Sequence, residues 1–146
     1  MNLLENTQLY RTYGAHPAGQ GWTFRVYAPN ARDAALAGDF NGWQPAPMQH
    51  QGGDWVLTVP DAQPGQCYKY VITGADGQVR WKADPYGTYA QLRPDTASRL
   101  YDVSGFRWHD DVWRERRRET PLTDGPLNIY EVHPGSWRRD ENGGFL

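Results

Sequence analysis

The stretch "GWTFRVYAPNARDAALAGDFNGW", residues 21–43, decides the fold class. Its first part alternates with a period of two, so Trp22, Phe24 and Val26 would lie on one face of a β-strand and the intervening residues on the other. The tripeptide "APN" ends this strand, and the Ala-rich segment "DAALAGDF" predicts a second strand after it. Consecutive short strands joined by turns are typical of antiparallel β-structure.

The segment "GDFNGW", residues 38–43, predicts a tight surface turn directly after the second strand. Gly and Asn accept positive φ angles, and we expect Asp39 and Asn41 to shape the turn rather than to bind a ligand. The turn ends in Trp43, although its neighbours favour solvent. Trp43 is therefore either a lid over the core or a platform for a ligand, and the pattern leaves both readings open.

Three more segments between turn signals have strand character: "QGGDWVLTVPD" (51–61), "GQCYKYVITGADG" (65–77) and "QVRWKADPYG" (78–87). In the second of these, Tyr68 and Tyr70 alternate with Cys67, Lys69 and Val71, so we expect the tyrosines in the core and Lys69 on the opposite face. An Asp-Gly dipeptide favours a hairpin between the last two segments. Five such strands predict an all-β antiparallel sandwich.

Composition excludes several function classes. With 146 residues the chain can form one ordinary domain and an appendage, and its formal net charge of −2 gives no basic field for nucleic acid. The single cysteine cannot form an internal disulfide, and we find neither a signal peptide nor a membrane-spanning run, so we expect no membrane partner and a cytoplasmic location. An aromatic content of 14% suits both a β-fold and sugar binding, since pyranose faces stack on aromatic rings.

The carboxyl-terminal third differs in sequence pattern from the strand-rich part before it. "HDDVWRERRRET" (109–120) predicts a short helix with a charged face, and "PLTDGPL" (121–127) predicts a linker. "NIYEVH" (128–133) then predicts a new strand, which is followed by a Gly-rich loop. We expect a lead-in at 1–20, the sandwich at 21–105, a linker with a short helix at 106–126, and the incomplete start of another domain at 127–146.

The sequence contains no pattern that indicates catalysis. The four histidines, His16, His50, His109 and His133, have no metal-ligand spacing, and Cys67 has no partner. Nucleophile-elbow and phosphate-binding motifs are also missing, and the carboxylates fall where turns and caps require them. We therefore expect no metal, no cofactor and no catalytic residue in this chain.

Trp43, Lys69 and Trp81 form a candidate binding surface. Lys69 is predicted on the outer face of its strand, Trp81 follows the hairpin closely, and Trp43 could reach the same face from its turn. Two exposed indoles with an ammonium group would make a shallow sugar platform. The alternative is that both tryptophans are packed lids and Lys69 is an ordinary surface lysine.

The order of these pieces resembles the amino-terminal region of the 1,4-α-glucan (glycogen) branching enzymes. "APNA" with "GDFNGW" is shared among several glucan-processing proteins, whereas "IYEVHPGSWRR" is more specific for branching enzymes. The resemblance implies an immunoglobulin-like β-sandwich, a family 48 carbohydrate-binding module, before a catalytic (β/α)8 barrel of the α-amylase type. Residues 127–146 would then be the first barrel strand and its loop, although Pro134 departs from the leucine common there.

The resemblance also implies functions. The sugar-stacking tryptophans of the module fall on Trp43 and Trp81, and its hydroxyl-contacting lysine falls on Lys69. The implied partners are α-glucan, as glycogen or linear maltooligosaccharide, and the protein's own barrel if the full-length protein contains one. The family's retaining glycosyltransferase reaction cleaves α-1,4 and forms α-1,6 bonds, but its carboxylates stand on later strands and Asp140 and Glu141 match none of them. We expect this chain alone to be inactive.

Other readings stay open beside this one. The chain could be a stand-alone glycogen-binding module, or a sandwich whose tryptophans dock to another protein. A debranching relative is a further alternative, and the motif at 129–139 argues against it. The strand predicted at 128–133 favours the branching-enzyme fragment, because a self-sufficient module has no use for an unpaired strand.

Overall fold

Ten β-strands and two short helices are formed by the residues that this computed structural model describes, which are 8–119, 125–126 and 128–144. The strands are β1 (Gly14–Ala18), β2 (Gly21–Tyr27), β3 (Asp33–Gly38), β4 (Ala46–Pro47), β5 (Gln49–Gln51), β6 (Asp54–Val59), β7 (Cys67–Thr73), β8 (Val79–Lys82), β9 (Tyr89–Ala90) and β10 (Ser98–Arg99). The helices are α1 (Asp111–Glu119) and α2 (Pro134–Trp137), and 3-10 turns occupy Leu9–Arg11 and Asp39–Asn41. The chain divides into two compact units, Met1–Phe106 and Arg107–Leu146.

The strands of the first unit form two antiparallel sheets. One sheet has the order β1-β2-β6-β5, and the other has the order β4-β3-β7-β10-β9, with β8 also paired to β7. Strand β7 is central to the second sheet because it pairs with β3 on one edge and with both β8 and β10 on the other. The all-β antiparallel sandwich predicted from the sequence is confirmed.

The core lies between the two sheets and follows the predicted alternation. Its buried members come from both sheets and from the connections between them: Trp22, Phe24, Val26, Ala34, Leu36, Met48, Trp55, Ala62, Tyr68, Tyr70 and Leu100. The rings of Phe24 and Tyr68 meet edge to face across the sandwich with centroids 5.0 Å apart. Burial of such aromatic side chains is the main contribution to the stability of a sandwich of this size.

The opposite face of the second sheet is defined by the pairing of β7. Directly paired residues share a face, and Lys69 pairs with Ala37, Val71 with Trp81 and Cys67 with Arg99. These residues therefore lie on the side of the sheet away from the core, which we call the outer face.

Strand β1 was missed by the sequence analysis. Its sequence "GAHPA" contains Pro17 and small residues and has little β propensity. It forms because β2 supplies the partner, with Ala15 opposite Phe24, and a proline is tolerated in a strand at the edge of a sheet. Residues 1–7 of the predicted lead-in lie outside the described residues.

In the second unit α1 occupies the segment where a short helix was predicted. The predicted strand at 128–133 does not form, and the exposed side chains of Ile129 and Tyr130 precede the helical turn α2. A strand needs a neighbour for its backbone N–H and C=O groups, and no strand that the structure describes pairs with this segment. Residues 120–124, 127 and 145–146 of the predicted linker and barrel start lie outside the described part. No helix in the described part is long and apolar enough to cross a membrane.

Candidate functional site

The turn after β3 holds Trp43 in an unusual backbone conformation. Gly42 and Trp43 have φ angles of 59° and 61°, in the left-handed region that favours glycine. The backbone N–H of Trp43 donates to the carbonyl of Gly38 (2.9 Å), and the Asn41 side chain accepts from the N–H of Gly38 (2.9 Å) and donates to the carbonyl of Leu36 (3.1 Å). These bonds fix the direction in which the indole leaves the turn.

Asp39 connects this turn to β7. Its Oδ1 accepts a hydrogen bond from Trp43 Nε1 at 2.9 Å, and its Oδ2 accepts one from the backbone N–H of Cys67 at 2.7 Å. The carboxylate therefore orients the indole ring against the central strand of the sheet. Asp39 and Asn41 shape the turn, as the sequence analysis expected, and Asp39 has the additional task of positioning Trp43.

Trp81 meets Trp43 on the outer face. Strand β8 places Trp81 opposite Val71, and the centroids of the two indoles lie 6.4 Å apart with their planes 32° from parallel. Trp81 is 46% exposed and Trp43 is half-buried. Trp43 comes from the turn after β3 and Trp81 from β8, so the two rings become neighbours only when the sheet has formed.

Lys69 lies on the same face, two residues along β7 from Val71. Its ammonium group donates to Thr96 Oγ1 at 2.8 Å, and its side chain is partly exposed. Small residues occupy the outer face of the neighbouring strand, where Ala37 is fully buried beside Lys69. The structure thus brings the three predicted site residues to one face, with the ammonium group held by Thr96.

The inner face of the same sheet carries a polar cluster that the sequence analysis missed. Tyr68 and Tyr70, which were correctly predicted in the core, donate their hydroxyls to Asp84 Oδ2 at 2.6 and 3.2 Å. Asp84 Oδ1 accepts the backbone N–H of Tyr86, and Ser98 Oγ accepts the backbone N–H of Asp84, both at 2.8 Å. Burial raises the pKa of the Asp84 carboxyl and the pKa of the Tyr68 hydroxyl. Nothing in the sequence distinguishes Asp84, a buried hydrogen-bond acceptor, from the exposed aspartates of nearby turns.

The outer-face arrangement suits binding rather than catalysis. It combines two aromatic rings, an ammonium group and a hydroxyl, which are the groups that stack on and hydrogen-bond to a sugar.

In the second unit, Asp140 Oδ1 accepts the backbone N–H groups of Asn142 and Gly144 and so serves as a turn residue. Within the described residues, no group of three or more His, Cys, Asp or Glu is placed to hold a metal ion.

Comparison with known proteins identifies a family and several relatives of this chain. The family model described as "Carbohydrate-binding module 48 (Isoamylase N-terminal domain)" matches residues 12–87. The chain is 46% identical to "1,4-alpha-glucan branching enzyme GlgB" of Rubrobacter xylanophilus over 97% of its length and 43% identical to that of Methylococcus capsulatus over 94%. It spans 20% of each of these curated relatives.

Solved structures share the fold of part of this chain. A pullulanase of Klebsiella pneumoniae complexed with maltotriose matches 62% of this chain and 9% of its own, with a TM-score of 0.54 and 25% identity. A putative alpha amylase of Salmonella typhimurium matches 70% of this chain and 17% of its own, with the same TM-score and identity. In both cases the matched part is a small fraction of a larger chain.

Proposed function

The chain belongs to the carbohydrate-binding module 48 family, as the amino-terminal region of a protein related to the 1,4-alpha-glucan branching enzymes, and from that premise we propose that its outer face binds α-1,4-glucan. Trp43 and Trp81 stack on the sugar rings, and Lys69 with Thr96 hydrogen-bonds to sugar hydroxyls. Glycogen and linear maltooligosaccharides are the proposed ligands.

One observation carries this proposal: the two indoles are adjacent and partly exposed on the face away from the core. Centroids 6.4 Å apart and planes within 32° of each other make a broad apolar surface that bends slightly between the rings. An α-glucan presents the apolar C–H faces of consecutive sugars along a curve, so two neighbouring sugars can each lie on one ring. A packed lid would not leave Trp81 46% exposed.

The fixed backbone of the turn also supports a binding role. Trp43 occupies the left-handed region, where a non-glycine residue costs about 1 kcal/mol. Asp39 then holds the indole by Nε1. A ring whose position is set before binding loses little conformational freedom when a ligand arrives, which favours affinity.

For the whole protein we propose the branching reaction, in which an α-1,4-linked chain is cleaved and transferred to a 6-hydroxyl. A retaining reaction of this type needs two carboxyl groups about 5 Å apart, and Asp140 is engaged in its own turn. The chain spans 20% of the relatives it matches, so we assign catalysis to sequence beyond residue 146. We expect the 146-residue chain to leave the iodine stain of amylose unchanged, and a shift caused by this chain alone would contradict that assignment.

Calorimetric titration with maltoheptaose tests the binding proposal directly. We expect the wild-type chain to bind, and Trp43→Ala and Trp81→Ala each to weaken binding roughly tenfold or more, because each removes a stacking surface worth about 1.4 kcal/mol or more. Trp113→Ala is the matched control, since Trp113 is an exposed tryptophan of α1 in the second unit. Calorimetry is preferred to tryptophan fluorescence because the substitutions remove the reporter.

The outcomes separate the alternatives. If both tryptophan variants bind as tightly as the wild type, the outer face is not the glucan site. If the wild type does not bind maltoheptaose at all, a protein-docking role for the tryptophan pair gains support. The cytoplasmic location inferred from the sequence stays a prediction.

A further inference from the structure

A second pair of exposed aromatic rings lies in the same unit as the tryptophans. Tyr89 and Tyr101 stack with centroids 5.7 Å apart and planes 30° from parallel. Their side chains are 49% and 55% exposed. Thr88 Oγ1 donates to the backbone carbonyl of Tyr101 at 3.1 Å and so ties the two short segments together.

Strand pairing places this second pair on the outer face. Cys67 pairs with Arg99, and Arg99 pairs with Tyr89, so all three share the face of Lys69. Leu100 is buried in the core, which turns Tyr101, the next residue, to the same side as Arg99.

A cationic donor accompanies the tyrosines, as Lys69 accompanies the tryptophans. The guanidinium of Arg99 lies 5.9 Å from the centroid of the Tyr89 ring, and the Arg99 side chain is exposed. Two rings beside a group of several N–H donors repeat the chemistry of the first site. The tyrosine hydroxyls add further donors and acceptors for sugar hydroxyls.

Thr96 links the two sites. Its Oγ1 accepts the hydrogen bond from Lys69, and Thr96 also lines an open concavity of about 620 Å³ together with Tyr89, Gln91 and Arg93. Thr96 is therefore a polar residue that contacts Lys69 and lines the same concavity as Tyr89, although neither Lys69 nor Tyr101 lines that concavity.

The spacing decides what can occupy both sites. Trp81 is opposite Val71 and Arg99 is opposite Cys67, so the two positions are about 13 Å apart along the sheet, and Tyr89 lies about 5 Å farther on the next strand. A single sugar unit cannot reach both pairs of rings, whereas a longer chain can. Each additional contact then forms within a complex that already exists, at high effective concentration.

We propose that Tyr89, Tyr101 and Arg99 form a second subsite, which binds a distant part of the same α-glucan chain that occupies the tryptophan pair. This inference rests on the proposed function. It makes the module selective for chain length: short oligosaccharides use the tryptophan site alone, and longer chains engage both sites.

The test compares two probes on the 146-residue chain. NMR titration, which measures weak affinities, gives the dissociation constants for maltotriose and maltoheptaose. We expect Tyr89→Ala and Arg99→Gln to weaken maltoheptaose binding roughly fivefold to tenfold and to leave maltotriose binding unchanged. Tyr10→Ala is the matched control, since Tyr10 is an exposed tyrosine outside both sites. The Arg99 variant removes the guanidinium without touching a ring, so it tests the subsite even if Tyr89→Ala impairs folding.

The results distinguish this inference from the proposed function. If Trp81→Ala loses both ligands while the subsite variants keep the wild-type ratio of the two affinities, the second subsite is wrong and the tryptophan site stands. Equal weakening of both ligands by Tyr89→Ala would also overturn it, because chain-length selectivity would then be absent. If Trp81→Ala binds both ligands normally, the proposed function itself fails.

Discussion

The two faces of β7 show how one strand serves two purposes. On the inner face, Tyr68 and Tyr70 are buried and their hydroxyls are paired with Asp84. On the outer face, Lys69 is partly exposed and its ammonium group bonds to a single threonine hydroxyl. Because successive side chains alternate between faces, the residues for stability and those for binding are neighbours in sequence. Substitutions can therefore separate the two properties.

The polar groups of the two faces also differ in their hydrogen-bond partners. The inner hydroxyls cannot reach water, so each needs a protein acceptor, and Asp84 supplies it for both. The outer groups keep access to solvent, which leaves their remaining donors available for a ligand. The buried polar cluster is thus required for stability, whereas the outer polar groups can hydrogen-bond to a ligand.

The largest expected effect is on the inner face. We expect Asp84→Ala to lower the free energy of unfolding by about 3 kcal/mol, because it removes the acceptor that the buried Tyr68 and Tyr70 hydroxyls share and the acceptor of the Tyr86 backbone N–H, and leaves Tyr70 only a 3.4 Å bond to the Arg25 carbonyl. Urea denaturation monitored by circular dichroism measures the change.

Asp84→Asn is the matched control, since its amide oxygen can still accept the two tyrosine hydroxyls, whereas its NH2 group, in the place of Oδ1, cannot accept the backbone N–H of Tyr86. We expect it to cost less than the alanine substitution. Equal losses in the two variants would show that an acceptor for the two hydroxyls does not hold the cluster together, and would contradict the contrast between the faces.

The sequence predicted much of this arrangement because period-two alternation reports directly on burial. The tyrosines of β7 were assigned to the core and Lys69 to the other face from the pattern alone, and the core confirms that division. The tight turn at residues 38–43 was predicted as well, with Gly42 at a positive φ, but Asn41 lies in a 3-10 turn and the second positive φ belongs to Trp43, where the sequence did not predict it.

The remaining features depend on contacts between distant segments. The bond from Trp43 to Asp39 has a local sequence span, but the second bond of Asp39 reaches β7, and Asp84 meets Tyr68 only after the hairpin has formed. A single-sequence pattern carries no information on such pairings. The failure at 128–133 has the same origin, because strand propensity does not supply a strand partner.

A smaller effect tests the backbone of the outer face. Trp43→Ala and Trp43→Gly both remove the indole and its bond to Asp39, so they differ only in backbone preference at φ 61°. We expect the glycine variant to be about 1 kcal/mol more stable than the alanine variant, and both to lose glucan affinity. Denaturant midpoints of the pair give the difference.

Gly42→Ala supplies an independent measure of the same strain. Gly42 has φ 59° and open space around its Cα, so the substitution should cost about 1 kcal/mol through backbone conformation alone. If the two Trp43 variants are equally stable, the left-handed conformation of Trp43 stores no strain and its direction is set by the hydrogen bonds alone.

The smallest expected effect concerns two carboxyl groups whose pKa values are shifted in opposite directions. Burial raises the pKa of Asp84, whereas the hydrogen bond from the Arg80 guanidinium lowers the pKa of the exposed Asp76 carboxyl from 3.8 to about 2. For Asp84 the protonated form is favoured by folding. Its contribution to the free energy of unfolding is therefore fully present below pH 3.8 and is lost as the pH rises through its raised pKa. For Asp76 the contribution is present above pH 3.8 and is lost as the pH falls through about 2.

Carbon-13 NMR titration of the two side chains between pH 2 and 7 measures both midpoints. We expect Asp84 to titrate above its ordinary value and Asp76 below it, and Asp84→Asn to flatten the fall of stability with rising pH above pH 4. The exposed pair of Asp76 and Arg80 is screened by water, so Asp76→Asn should change the unfolding midpoint very little. An Asp84 midpoint below 3.8 would mean that the tyrosine hydroxyls stabilise the carboxylate more than burial penalises it, and the expected opposite shifts of the two carboxyl groups would then be wrong.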